Sequence, residues 1–454
     1  MAHSMTYQPD EHPQISPADL TRAAERAERV LAETKRQGAS AAEVHLGQGQ
    51  GLSVNVRLGE VETLEFHHSR ELSVTVYSGK RKGVATSTDD SDAAIKATVQ
   101  AAYAIAREAE ADEFAGLAEA ELLARDLPQL DIYHPWALTA DDAIVQARAC
   151  EAAGLDTAGI VNSEGASLST SVGLGWYANS QGFSAGNCSS SHQRSCVLIA
   201  KDEAGMQRDY WYDSHCRAER LADADRVGQE AARRTLARLG GRKPVTGSYP
   251  VLFAPEVAVG LIGHFIGAIS GGNLYRKNSF LCDALGEQVF PDWVSIGERP
   301  HLPGEPGSSV FDRDGLATRE QQFIRDGRLQ GYALGLYASR QLKLSPTGNG
   351  SGVHNLYISD SGKTQAQLLA EMGTGVLVTE LMGSAINAVT GDYSRGASGF
   401  WVEGGVITHA LEEFTLAGNL RDIFANLQAA GTDVDRRRRI QCGSLLLAPM
   451  KVAG

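Results

Sequence analysis

An uncharged segment with regularly spaced glycines constrains the fold of this chain more than any other feature. Residues 257–275 carry no formal charge, and Pro255 and Glu256 in front of them are typical of a helix start. Glycine recurs there every fourth residue, at Gly263, Gly267 and Gly271. A membrane-spanning helix needs about 20 strongly apolar residues, whereas this segment also holds a histidine, a serine and an asparagine. We therefore expect no membrane span, but a helix of about four turns in a core or an interface, where another backbone comes close.

Length and charge set the broad class. The chain has 454 residues, enough for roughly two to three domains with ample cores. Its formal net charge of −13 argues against nucleic acid as an obligatory partner. The cysteines show no CxxC spacing, as expected for reduced thiols, and the first twenty residues lack the apolar core of a signal peptide. These features predict a soluble, cytoplasmic protein.

The first predicted unit spans residues 16–110. A capping box at Ser16–Asp19 opens a helix that runs to about Gln37. A second helix covers about 91–109, with an apolar stripe at Ile95, Val99, Ala102 and Ile105. Alternating apolar and polar residues between these helices predict half-buried antiparallel strands at 52–58, 61–67 and 71–77, the last continuing through 83–86.

The second predicted unit, residues 111–241, repeats this order after a linker at 111–138. Thr139 begins a capping box for a helix that runs to about Ala153, and Gly154 is expected to end it. A helix at about 219–239 closes the unit before a boundary rich in glycine, lysine and proline. Strand-like runs lie between these helices, at 166–177, 182–189, 195–201 and 208–213.

The third predicted unit, residues 248–454, is rich in β-structure. The turn dipeptides Asp326-Gly327 and Gly404-Gly405 predict two hairpins. Further strands are expected at 356–359, 375–381 and 445–452, and helices near 365–372 and 419–428. The predicted fold class is therefore α+β: an N-terminal α/β region with two helix–β-meander–helix units, then a β-rich C-terminal domain with a few packed helices.

Two motifs in this third unit resemble functional sites, but for each of them a purely structural role is the commoner interpretation. Ser361–Thr364 follows a strand and precedes a helix, as in a P-loop, but Tyr357 stands where a P-loop needs its first glycine, so a capped turn is predicted. Arg436–Arg439 is an arginine run in an acidic protein. A solvated turn or a face for an acidic partner is commoner for such a run than a nucleic-acid patch.

A glycine-rich polar segment at 391–399 precedes a hairpin strand and is predicted to be a loop. Its Ser394, Arg395 and Ser398 are candidates for a peptide groove, where backbone amides and these side chains meet an extended chain. The same segment could equally be a structural corner that needs positive φ at its glycines. Both interpretations stay open at the level of sequence.

Several separated segments, in consistent order, resemble the TldD/PmbA family, whose members have long been named modulators of DNA gyrase. They are the helix at 255–280 with an Arg-Lys-x-Ser element at 276–279, and the segments 355–358, 379–405 and 440–444. Catalytic members carry His-Glu-x-x-Gly-His in the helix. The matching positions here are Gly263, His264 and, at the end, Ala268, so both ligand histidines and the catalytic glutamate are missing. A zinc-binding helix needs imidazole ligands and a carboxylate to activate water, and neither glycine nor alanine can bind a metal.

The resemblance implies the PmbA (TldE) type of chain, a non-catalytic or regulatory subunit of a cytosolic zinc metallopeptidase. The family cleaves unfolded or small peptides and is associated with peptide-antibiotic maturation and antitoxin turnover. We expect no cofactor and no metal in this chain, with zinc held by a TldD-type sister subunit. We also expect a heterodimer with that subunit, a homodimer when the chain is alone, and peptide substrates at a shared cavity.

Two alternatives stay open. In one, the chain is a metallopeptidase with its own unconventional metal site, built from His264, Cys282, His354, His409 and Cys442. Catalytic members of the family use a late cysteine as a further zinc ligand, and Cys442 is the only late cysteine here. In the other, the chain is not an enzyme and modulates DNA gyrase through protein contacts.

Overall fold

A single antiparallel sheet organises the N-terminal half of the chain, in a computed structural model that describes residues 15–203 and 205–454, without the side chain of Ser384. Its six strands are β1 Ala41–Arg57, β2 Glu60–Ser78, β3 Arg81–Ser87, β4 Ile160–Asn179, β5 Ser184–Lys201 and β6 Met206–His215. Their order is β3-β2-β1-β4-β5-β6. Because β1 pairs with β4, the two predicted helix–strand units contribute to one sheet. The dividing line predicted between them at residues 110 and 111 stays a prediction.

All six strands extend beyond the predicted runs, and β1 begins at residue 41 rather than 52. The run at 83–86, predicted to continue 71–77, lies in a separate strand, β3, that pairs with β2. Two strands each join two predicted runs. The runs 61–67 and 71–77 form one strand, β2, because residues 68–70 between them keep their pairing with β1. The runs 182–189 and 195–201 likewise join in β5, where residues 190–194 stay paired with β4. The prediction of separate strands was wrong here, since polar stretches that resemble turns are held extended by the neighbouring strand.

Four helices cover the N-terminal sheet: α1 Asp19–Arg36, α2 Asp92–Glu108, α3 Ala140–Leu155 and α4 Ala224–Ala237. Each was predicted, but three details were wrong. Helix α4 begins at Ala224, whereas its predicted start was near Glu219. Ile105 is 49 % exposed, and Ala106 takes its place in the buried stripe of α2. Gly154 does not end α3, which continues to Leu155, because Gly154 is a packing position against Leu198 and the backbone of Gly228. The sequence predicted that the first twenty residues hold no signal peptide. Most of these residues lie outside the described part of the chain.

Two mixed sheets form the C-terminal half. A five-stranded sheet has the order β10-β9-β8-β11-β16 and a six-stranded sheet the order β14-β13-β12-β7-β17-β15. The strands are β7 Gly247–Phe253, β8 Ile296–Glu298, β9 Gln321–Arg325, β10 Arg328–Leu329, β11 Leu356–Ile358, β12 Gly375–Ile386, β13 Asp392–Glu403, β14 Val406–Asn419, β15 Leu427–Ala430, β16 Ile440–Gln441 and β17 Leu445–Ala453. Both predicted hairpins are confirmed, and their turn glycines have the positive φ that such turns need.

Five helices pack on these sheets: α5 Pro255–Ala268, α6 Gly271–Tyr275, α7 Leu336–Leu342, α8 Gln365–Met372 and α9 Leu420–Ala425. The predicted helix of about four turns is α5, with 14 residues, and the short helix α6 follows it. Helix α9 is shorter than predicted because Leu427 enters β15. The predicted α+β class is confirmed. No helix within 15–203 and 205–454 is long and apolar enough to cross a membrane.

Two motifs of the C-terminal half have structural roles. Thr364 caps α8 and Lys363 forms an ion pair with Glu371 at 2.5 Å, so the P-loop-like segment is a capped turn, as predicted. The arginine run is not simply solvated. The Arg437 side chain is 14 % exposed and lies between Asp435 and the rings of Trp211 and Tyr212, whose centroids are 4.5 and 4.3 Å from its guanidinium.

Candidate functional site

The helix α5 has one face in the core and one face turned away from it. Leu261, Ile262 and Phe265 are buried, and the ring of Phe265 packs edge-on against Phe290 at 5.2 Å. Residues on the other face are only partly buried: Gly260, Gly263, His264 and Gly267. The apolar face therefore fixes the helix in place, and a glycine-rich face with a single imidazole is left toward open space.

The glycines of this face leave room that side chains do not fill. A Cβ atom added at Gly260 or Gly267 would meet no heavy atom within 4 Å, and one at Gly263 would meet only Ile440 Cδ1, at 3.8 Å. Gly271 differs, since its Cβ would lie 2.5 Å from Ala338 Cβ and its N–H donates to Ala333 O at 2.9 Å. The predicted glycine ridge is thus divided: Gly271 serves packing within the chain, whereas Gly263 and Gly267 face free room.

Two polar side chains of β13 lie beside His264. The ring centroids of His264 and Tyr393 are 6.0 Å apart, in an edge-to-face arrangement. Arg395 follows Tyr393 by two residues, so strand alternation puts both side chains on the side of β13 that packs against α5. Ala397, two residues further, is buried in the same core. The open face of α5 is therefore bordered by an imidazole, a phenol and a guanidinium.

Burial and the charge of Arg395 shift the pKa values of His264 and Tyr393. Burial lowers the pKa of His264, and the nearby Arg395 guanidinium lowers it further, so the imidazole is neutral at pH 7. Burial raises the pKa of Tyr393 to about 12, against the opposing effect of Arg395. The three side chains therefore carry one positive charge together, that of Arg395.

The three predicted groove residues do not share one surface. Ser398 is 3 % exposed, donates to Glu380 Oε2 at 3.0 Å and accepts from Arg238 at 2.9 Å. Ser394 has the parity of Ser398 in β13 and lines a cleft of about 660 Å³ with Asn278 and residues 385–388. Of the three, only Arg395 has the parity of the side that packs against α5.

The sequence predicted a loop for the glycine-rich segment at 391–399. That prediction was wrong, because the segment forms the first part of β13. Gly391 does turn the chain, with φ of 82°. Gly399, by contrast, allows β12 to come close, since a Cβ there would lie 1.9 Å from Leu377 O. Tyr393 was missed by the sequence analysis, although its place two residues before Arg395 would have put both on one face of a strand.

The residues of the alternative metal site are scattered. His354 lies beside Glu298, with 3.4 Å between Nδ1 and Oε2, while the Cys282 thiol contacts Leu274 O and His409 contacts Thr408. Cys442 is fully buried, and burial raises the pKa of its thiol. Across residues 15–203 and 205–454, no three His, Cys, Asp or Glu side chains are grouped so that they could hold a metal ion.

Family models cover most of the chain in three consecutive pieces. They describe domain 1, the central domain and the C-terminal domain of the PmbA/TldA metallopeptidases, and match residues 42–106, 133–239 and 246–454. The longest match contains α5 and β13, the two elements that border the glycine-rich face.

Proteins and structures of known origin agree with these models. Metalloprotease PmbA of Escherichia coli O157:H7 is 47 % identical over 425 residues, which cover 93 % of this chain and 94 % of that protein. The Haemophilus influenzae homologue of PmbA is 43 % identical over 92 % of this chain and 93 % of its own length. A proposed DNA gyrase modulator from Bacteroides thetaiotaomicron has a TM-score of 0.90 at 26 % identity, over 95 % of this chain and 98 % of its own. TldE from Thermococcus kodakarensis shares the fold, with a TM-score of 0.85 at 18 % identity over 94 % of this chain and 100 % of its own. This chain therefore belongs to the PmbA/TldD family of metallopeptidases.

Proposed function

We propose that this chain is the non-catalytic subunit of a cytoplasmic peptide-cleaving zinc metallopeptidase and pairs with a zinc-bearing sister chain of the TldD type. The observation that carries the proposal is the state of α5. The helix, its core face and Gly267 are retained, but the positions that hold zinc ligands in catalytic members are Gly263 and Ala268. Donor atoms are missing there, so these residues do not fit a zinc ion.

The shape of α5 supports a role in a shared cavity. Its open face is lined by backbone and glycine, which permits an extended peptide or another backbone to come close. A helix that had lost both its chemistry and its neighbours would be free to replace glycine by residues of higher helix propensity. In the proposed enzyme this face forms one wall of the peptide cavity, and hydrolysis occurs on the sister chain.

The test is an assay of the chain alone, the sister chain alone and the mixture, each on an unfolded peptide. We expect cleavage by the mixture, zinc only in the sister chain, and a mixed complex in light scattering. Tightly held zinc and cleavage in the isolated chain would contradict the proposal and favour the alternative of its own metal site. A chain that never associates with the sister chain would contradict the subunit role.

Substitution of Gly267 by leucine separates assembly from folding. Because a Cβ at Gly267 would meet no heavy atom of the described residues within 4 Å, apart from its chain neighbours and the backbone of its own helix, the Gly267→Leu chain is expected to fold, whereas the mixture should lose complex or activity. Gly331→Leu is the matched control, since its Cβ also meets nothing within 4 Å but it lies outside α5. Equal activity of both variants in the mixture would remove α5 from the shared cavity.

A further inference from the structure

Three polar side chains beside α5 lack partners in the described part of the chain. The Tyr393 hydroxyl is buried, within a side chain that is 2 % exposed, and makes no hydrogen bond. Arg395 forms no ion pair or hydrogen bond with another described residue, and its Nε is buried without an acceptor. His264, whose ring lies 6.0 Å from that of Tyr393, also has no hydrogen bond to a described residue. Buried polar groups are normally satisfied, so the Tyr393 hydroxyl and Arg395 Nε, both buried without partners at one place, indicate a missing ligand.

The chemistry of the three groups defines what that ligand is. A guanidinium only donates hydrogen bonds, in a fork that matches two oxygen atoms, and a phenol hydroxyl beside it adds a further donor. The buried Nε of Arg395 has no acceptor, carboxylate or other, among the described residues. The free room in front of Gly260 and Gly267 is next to the same groups and admits a chain with no side chain in the way. The ligand is therefore an oxyanion that arrives on a slender chain.

We propose that Arg395, Tyr393 and His264 form a carboxylate-binding site, which anchors a peptide along the glycine-rich face of α5. Arg395 binds the two oxygens, Tyr393 donates its otherwise unpaired O–H, and the neutral His264 donates a ring N–H. The peptide ligand rests on the proposed function, while the binding site itself is a property of this chain alone. The carboxylate is either the C-terminus of the peptide or an acidic side chain, and these two sources are separable.

The experiment measures binding of three hexapeptides of otherwise equal sequence to the isolated full-length chain by titration calorimetry. One has a free C-terminus and a glutamine, the second a C-terminal amide and the same glutamine, and the third a C-terminal amide and a glutamate. Tighter binding of the first than of the second, by about tenfold or more, assigns the site to the C-terminus. Tighter binding of the third than of the second assigns it to an acidic side chain. Equal binding of all three, or binding of none, overturns the proposal.

Variants test whether these residues make the difference. Arg395→Gln should abolish the preference for a carboxylate, and Arg436→Gln, which removes an exposed guanidinium elsewhere, should leave it unchanged. Tyr393→Phe should weaken carboxylate binding about tenfold while the chain stays at least as stable, since the hydroxyl it removes has no partner. A preference that survives Arg395→Gln would overturn the proposal even if the peptides bind.

Spectroscopy gives a second measurement, independent of folding. The ring signals of His264, assigned by comparison with His264→Gln, should shift on titration with the preferred peptide and not with the amide control. Unshifted signals at saturation would contradict the site. If the chain binds the carboxylate but forms no complex with the sister chain, the carboxylate-binding site is supported and only the subunit role is refuted.

Discussion

Arg238, which directly follows α4, and Glu380 on β12 form an ion pair with 2.5 Å between Nη1 and Oε2, which connects the N-terminal half of the chain to its C-terminal sheet. Ser398 closes the arrangement, with a hydrogen bond to each of the two. Burial of Glu380 opposes its ionisation, but Arg238 and Ser398 outweigh this and hold the pKa of the carboxyl below its usual range. The arrangement links the core of the N-terminal half to that of the C-terminal half.

A double-mutant cycle should show this link. We expect Arg238→Met and Glu380→Gln to show a coupling free energy of about 1–2 kcal/mol at pH 7, in urea unfolding. The folded pKa of Glu380 is depressed, so its stabilising contribution is present above its unfolded pKa and is lost as the pH falls through the folded value. The coupling should therefore decrease below about pH 4. The control cycle uses the exposed pair Arg208 and Glu164, for which about 0.5 kcal/mol or less is expected.

Arg437 should be far more important for stability than its neighbour Arg436. Its guanidinium donates to Asp435 and to Tyr212 O, and it lies on two aromatic rings. A lysine cannot make these planar contacts, so Arg437→Lys is expected to cost about 1–3 kcal/mol of the free energy of unfolding. Arg436→Lys, whose side chain is 69 % exposed, should change it by less than about 0.5 kcal/mol. Equal effects in denaturant titrations would refute this account of the arginine run.

Two helical glycines should respond in opposite directions to alanine. A Cβ at Gly228 in α4 would lie 2.0 Å from Cys150 O of α3, so Gly228→Ala must separate two packed helices and should cost about 1–3 kcal/mol or more. A Cβ at Gly260 in α5 meets nothing within 4 Å, and Gly260→Ala should stabilise the isolated chain by up to about 1 kcal/mol, through helix propensity. Thermal unfolding of both variants beside the unaltered chain gives the comparison.

Zinc should not bind stoichiometrically to the purified chain, because Gly263 and Ala268 supply no ligand atoms. The triple variant Gly263→His, His264→Glu and Ala268→His should gain measurable zinc after equilibrium dialysis and elemental analysis. It should also lose about 1–3 kcal/mol of stability, since Ala268 is 5 % exposed and a histidine there overpacks the end of α5. Gly263→His alone, which has room, serves as the folding control. One tightly held zinc per unaltered chain would contradict the prediction.

Local features of the chain were predictable because their causes are local. Thr139 and Thr364 accept hydrogen bonds from the first turns of α3 and α8, as their sequence positions indicated. Asp326 and Gly327 take the positive φ of 49° and 72° that a tight hairpin needs. The loss of zinc ligands at Gly263 and Ala268 is likewise a property of the residues themselves.

The sequence by itself thus determined most of the helices, the two hairpin turns, the α+β class and the absence of ligand atoms at Gly263 and Ala268. Only the tertiary structure decided how these parts meet. Pairing of β1 with β4 joins residues more than a hundred positions apart. Pairing with β1 keeps β2 extended through its polar stretch, and pairing with β4 does the same for β5. The same long-range packing places Ser398 where it donates a hydrogen bond to Glu380, and it places Tyr393 and Arg395 beside His264. Such contacts depend on which faces are buried against each other, and no local pattern along one strand records its partner.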